Sequence, residues 1–233
     1  GVQANQEVVI AGRFTTVNPA TGETLATLSR GMPEDIDRAV ASARAAFRSG
    51  CWSRIAPRER MDILYRFADL VDDRAEELAV LETLDMGKPI RDVVAEDLPS
   101  VIKTIRFMAE GIDKIEGSVT NTDHDALHLV IREPLGVVGC ISPWNYPLFL
   151  TASPLASVLA AGNRAMIKMA SNSQHLCRLL AEKFRAVFPE DQVAILPGVR
   201  AQDFSTLPYD HIIFTGSADA GRTVMRTAAE TLT

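Results

Sequence analysis

What this sequence lacks narrows its function first. No apolar run reaches the roughly 18 residues needed to cross a bilayer. The nearest candidate, from Leu148, is interrupted by Thr151 and Ser153 and stops at Gly162-Asn163. Residues 1–15 hold no basic segment followed by an apolar one, so no secretory signal is read there. Cysteine is scarce, and Cys51, Cys140 and Cys177 are odd in number and far apart. They lack the close pairing of a metal or redox motif, which favours a reducing compartment. Basic residues are outnumbered: 24 Lys and Arg stand against 30 Asp and Glu, a formal net charge of −6. That balance argues against a nucleic-acid backbone as partner. There is no internal repeat, no low-complexity segment and no GxGxxG fingerprint. The expectation is a soluble, cytoplasmic protein with no membrane partner.

What is present is ordinary globular material. Hydrophobic residues make up 47% and charged residues 23%, so 233 residues can bury a real core as one large domain or two small ones. Residues 1–28 read as short strands and turns, punctuated by Ala11-Gly12 and Asn18-Pro19-Ala20-Thr21-Gly22. From Pro33 the apolar period becomes helical. Four helices are expected before Gly117: one ending at Gly50, one from Pro57, one stopping at Gly87-Lys88-Pro89 and one carrying Ile102, Ile105, Met108 and Ile112. Nothing in this layer points to chemistry, and charges such as Asp72-Asp73-Arg74 read as a solvated face. Residues 119–132 alternate and read as one strand with two fairly apolar faces. His124 and His128 share a face there, but a metal would need further ligands that this neighbourhood does not offer.

From Glu133 strands and helices alternate. Strands are expected at 137–141, 165–169, 193–196 and 211–215, and helices at 147–161, 173–188 and 218–232. Continuous apolar strands between helices predict an α/β fold, a Rossmann-like parallel sheet covered on both faces. In such sheets ligands bind outside the carboxyl ends of the strands. Three features fall at such ends. Asn145, in Ile141-Ser142-Pro143-Trp144-Asn145-Tyr146-Pro147, is either a turn residue or a side-chain donor at a site mouth. Lys168 is placed to reach a ribose or phosphate, or it snorkels from a buried strand. Gly216-Ser217, with Gly221 five residues after Gly216, opens a helix whose N–H groups could seat a phosphate. Their convergence carries more weight than any one of them.

Pro143-Trp144-Asn145-Tyr146-Pro147, Ala160-Ala161-Gly162-Asn163, Lys168 and Phe214-Thr215-Gly216-Ser217 together resemble the aldehyde dehydrogenase superfamily. So do Asn18-Pro19-Ala20-Thr21-Gly22-Glu23 and Glu82-Thr83-Leu84-Asp85-Met86-Gly87-Lys88-Pro89, in order and in register from about residue 6 onward. The first part is similar to dehydrogenases of amine-derived aldehydes. The stretch after Tyr146 is similar to coniferyl-aldehyde-type members, so a join of two ancestries is one reading. The resemblance implies NAD or NADP as cofactor and three parts: 1–118 as amino-terminal strands and helical layer, 119–132 as an oligomerisation strand, and 133–233 as an incomplete dinucleotide-binding core. It also implies roles. Asn145 would be the oxyanion-hole amide, and Ile141, Ser142 and Trp144 would line the cofactor cleft. Lys168 would bind the adenosine ribose, and Gly198 would flank the adenine. Phe214, Thr215, Gly216, Ser217 and Gly221 would form the pyrophosphate turn and helix start.

Two departures from the family pattern matter. Ser171 stands where many members carry a glutamate for the ribose 2′-hydroxyl, so NADP should be tolerated as well as NAD, or dinucleotide binding weakened. None of the three cysteines matches the family's nucleophile, and its general-base glutamate has no counterpart here. The catalytic domain is therefore expected to be absent, and the chain to be inactive alone and to self-associate as a homo-oligomer. A small aldehyde would be a partner only of the complete enzyme. The alternative is a non-catalytic nucleotide-binding or assembly module that keeps the fold.

Overall fold

A computed structural model describes residues 9–10, 13–29, 31 and 33–233. The Ala11-Gly12 turn and the start of the first expected strand lie outside these residues. The chain opens with an antiparallel sheet of β1 (Val9–Ile10), β2 (Arg13–Val17) and β3 (Thr24–Ser29), in that order. Its second turn is closed by Gly22, at φ 76°, whose N–H donates to the Asn18 carbonyl at 2.7 Å.

The helical layer follows the apolar periodicity. It comprises α1 (Pro33–Ser49), α2 (Pro57–Asp73), α3 (Ala75–Met86), and α4 (Ile90–Asp92), which runs through a π-helical turn, Val93–Asp97, into α5 (Leu98–Gly111). The fourth expected helix thus begins earlier than its apolar residues indicate and ends at Gly111. Pro99 has no N–H to return to residue 95, which fits a widened turn just before it. The layer is not chemically plain, because Glu82, Asp85 and Asp97 are buried in it.

Residues 119–132 are not one strand. β4 (Ser118–Thr120) and β5 (His128–Val130) form an antiparallel hairpin, with Val119 opposite Leu129. Turn chemistry overrides the alternation here. The Thr122 hydroxyl and the Ala126 N–H close the intervening loop, onto the Ala126 carbonyl and the Asp123 carbonyl respectively. His128 Nδ1 pairs with Thr120 Oγ1 across the hairpin at 2.6 Å. Leu127, Leu129 and Ile131 are exposed.

The remainder is the expected α/β unit: β6 (Val137–Ile141), α6 (Pro147–Ala160), β7 (Arg164–Lys168), α7 (Gln174–Val187), β8 (Val193–Ile195), α8 (Ala201–Ser205), β9 (His211–Phe214) and α9 (Ala218–Thr231). The short α8 occupies what reads as loop in the sequence. The sheet is parallel with the order β8-β7-β6-β9. Strand alternation divides the core between two faces. Val138, Cys140, Ala165 and Ile167 join Phe67, Ile105, Leu155, Leu159 and Phe184 beneath α2, α5, α6 and α7. Val137, Ile141 and Met166 join Ile36, Val40, Phe204 and Val224 beneath α1, α8 and α9. No helix among the described residues is long and apolar enough to cross a membrane.

Candidate functional site

The strand order reverses between β6 and β9: the chain leaves β6 for β7 and β8 on one side and returns to β9 on the other. Such a switch point opens a crevice at the carboxyl ends of the two strands. The register aligns the site there. Lys168 of β7, Ile141 of β6 and Phe214 of β9 lie side by side. Two hydrogen bonds extend the alignment past the strand ends. The Ser142 N–H donates to the Lys168 carbonyl at 3.1 Å, and the Thr215 N–H donates to the Ile141 carbonyl at 3.0 Å. The three loops therefore leave the sheet at one level.

Trp144, Asn145 and Tyr146 form an exposed turn before Pro147, the first residue of α6. The Asn145 amide makes no hydrogen bond with any described residue, so both its donor hydrogens are available. Ser142 is buried, and its hydroxyl pairs with Thr151 Oγ1 at 2.8 Å, which fastens the start of the turn to α6. Ile141 is buried too, so its backbone and not its side chain faces the crevice edge.

Gly216 and Ser217 are exposed at the start of α9. Ser217 caps that helix by accepting the Ala220 N–H at 3.3 Å, which leaves its own O–H free to donate. A side chain at Gly216 would meet the Phe214 ring at 2.6 Å, and one at Gly221 would meet it at 3.2 Å. Both glycines thus make room for that ring. On the other flank, Gln174 is buried and bridges two loops. Its amide donates to the Ala170 carbonyl at 2.7 Å and accepts the Gly198 N–H at 3.2 Å. The loop after β7, which carries the half-buried Ser171, is thereby tied to the loop after β8 at Gly198, which has φ 68°.

Two sequence features belong elsewhere. Asn163 sits at the amino end of β7, where it accepts the Gly136 N–H at 2.9 Å and takes the Gln192 amide on its carbonyl at 2.7 Å. The Gly162-Asn163 motif is structural. The cysteines do not gather at the site either. Burial pushes the thiols of Cys140 and Cys177 up to about 12. The exposed Cys51 accepts from Arg164 Nη2 at 2.9 Å, at the end of β7 opposite Lys168.

One cluster near the turn was not legible from spacing. Glu82 is fully buried, and neither of its carboxyl oxygens has a hydrogen-bond partner of good geometry. They lie within electrostatic reach of Asp97 and the Leu148 N–H, and burial, reinforced by Asp97, raises Glu82 to about 8. Asp97 is ion-paired with Lys88, whose ammonium lies 3.6 Å from the centroid of the Tyr146 ring. The signal that could have found it is a glutamate inside an otherwise apolar helix stripe, at Leu81-Glu82.

The sequence model of the aldehyde dehydrogenase family matches residues 9–233. The NADP/NAD-dependent aldehyde dehydrogenase PuuC of Escherichia coli is 40% identical over 222 residues, covering 93% of this chain and 45% of that protein. The aminoacetaldehyde dehydrogenase of Pseudomonas aeruginosa is 41% identical with the same coverage. The crystal structure of indole-3-acetaldehyde dehydrogenase complexed with NAD+ superposes with a TM-score of 0.89 at 38% identity, over 96% of this chain and 47% of its own. The chain thus spans about half the length of the curated relatives it matches. With a family match along nearly its whole length and several motifs in one register, the chain belongs to the aldehyde dehydrogenase family.

Proposed function

We propose that this chain is the cofactor-binding portion of an NAD(P)-dependent enzyme that oxidises an aldehyde to a carboxylic acid. The observation that carries the reading is the aligned row Lys168–Ile141–Phe214 at the switch point, with the Asn145 turn and the α9 start rising from its ends. The dinucleotide named for the relatives fits these residues. The Ala220 N–H is taken by the Ser217 hydroxyl and the Gly221 N–H by the Ser217 carbonyl, which leaves the N–H groups of Ala218 and Asp219 to attract a pyrophosphate. The one acidic residue of that turn, Asp219, is neutralised by Arg222 at 2.6 Å. Lys168 and the loops tied by Gln174 bound the adenosine end.

When bound, the nicotinamide supplies a hydride acceptor. The chain's own residues bind and orient it, and the Asn145 amide supplies a donor for charge developing on an aldehyde oxygen. Ser171 leaves room for a 2′-phosphate where a carboxylate would repel it, so NADP is accepted beside NAD. No described cysteine combines exposure with a place at the carboxyl ends of the strands, which supports binding without turnover by this chain alone. The same observation favours the second reading, a non-catalytic nucleotide-binding module. The purified chain incubated with NAD+ and an aldehyde tests the reading: NADH formation would show that a nucleophile is present after all. In the complete enzyme, Asn145→Ala should lower kcat by roughly 10²–10³-fold.

A further inference from the structure

We infer that Lys88 is a positioning residue: held by the buried Asp97 and packed on the Tyr146 ring, it fixes the Trp144-Asn145-Tyr146 turn against the helical layer. The inference rests on the reading of Asn145 as a donor, because only then does the turn's position bear on the reaction. The turn has little burial of its own, with Trp144 52% and Tyr146 40% exposed. Something other than core packing must hold it. At its start the Ser142–Thr151 hydrogen bond does so. At its end the contact is Lys88 over Tyr146.

Lys88 is suited to this. It follows Gly87, the left-handed cap of α3 at φ 72°, and precedes Pro89, whose ring restricts the backbone of Lys88. Its ammonium is ion-paired with Asp97, which is only 2% exposed. Burial, reinforced by Asp97, favours the neutral form of Glu82, and Asp97 is the carboxyl group that pairs with the ammonium. The ammonium is thus directed from below by one buried anion and presents its charge to one aromatic face, the arrangement a cation–π contact needs. Through it the helical layer is coupled to the placement of Asn145.

The test uses the full chain labelled with 5-fluorotryptophan, since its two tryptophans report on different places. Trp144 is in the turn. Trp52 is buried, with its Nε1–H donating to the Leu159 carbonyl at 3.0 Å. Lys88→Met should shift and broaden the Trp144 fluorine resonance and leave that of Trp52 in place, and Lys88→Arg, which keeps the charge, should retain the native spectrum. An unchanged Trp144 resonance in Lys88→Met would overturn the inference, as would an equal displacement in Lys88→Arg. If Lys88→Met fails to fold, the exposed ring decides: Tyr146→Leu should broaden Trp144 and Tyr146→Phe should not, and equal spectra would overturn it. The readout involves neither aldehyde nor turnover, so it stands or falls separately from the effect of Asn145→Ala on catalysis.

Discussion

The ring of Phe214 occupies the space that a side chain on Gly216 would need, with Cζ 2.6 Å from the position of a Cβ. The residue that ends β9 thereby dictates glycine two positions later. Overpacking of this kind costs about 1–3 kcal/mol. The site is partly exposed, so Gly216→Ala should lower stability by about 1 kcal/mol, at the low end of that range. Dinucleotide affinity should fall about tenfold, ~1.4 kcal/mol. A double-mutant cycle with Phe214→Leu, read by urea unfolding, should show the Gly216→Ala loss shrinking when the ring is removed.

Glu82 should make stability fall as pH rises. Its pKa is raised to about 8 in the folded chain from 4.5, chiefly by burial. Between those values the folded state holds a proton that the unfolded state has released, so the unfolding free energy declines with pH. The favourable contribution is complete below about pH 4.5 and is lost as pH climbs through about 8. The slope is at most ~1.4 kcal/mol per pH unit for one proton. Glu82→Gln should flatten the urea midpoint across this window, and a wild-type midpoint rising from pH 5 to pH 8 would count against the buried neutral carboxyl.

Ser171 should set cofactor choice. It is half-buried in the turn after β7, close to Lys168 in the chain. On the proposed reading Ser171→Glu sets a carboxylate against the 2′-phosphate, and NADP+ binding should weaken by tenfold or more relative to NAD+, about 1.4 kcal/mol of repulsion. Calorimetric titration with both dinucleotides measures the ratio. An unchanged ratio removes Ser171 from the site.

The β4–β5 hairpin should drive self-association. Val119 on β4 and Leu127 and Ile131 on either side of β5 are 68%, 75% and 71% exposed, an apolar surface with no cover among the described residues. Light scattering at micromolar concentration should show oligomers, reduced by Leu127→Ser with Ile131→Ser. A monodisperse wild-type monomer contradicts this.

Much of this architecture is legible in residue order, and the exceptions have physical causes. The four parallel strands are built on short apolar runs, and their ends fall within a residue of expectation because both faces of the sheet are covered by helices. The hairpin is hidden because Thr122 and Asp123 act through turn hydrogen bonds that alternation does not register. Within the site, Lys168, Gly216 and Asn145 announce themselves by their position after strands. Gln174 and Lys88 do not, because the Gln174–Gly198 hydrogen bond and the Lys88–Tyr146 contact join residues far apart in the chain.

The most direct measurement is a calorimetric titration of the purified chain with NAD+, comparing wild type with Lys168→Met at the carboxyl end of β7 and His211→Gln at the amino end of β9. The expected result is saturable binding to the wild type and to His211→Gln, and at least tenfold weaker binding to Lys168→Met, about 1.4 kcal/mol. No binding to the wild type, or equal binding to all three, would contradict a dinucleotide crevice at the β6–β9 switch point.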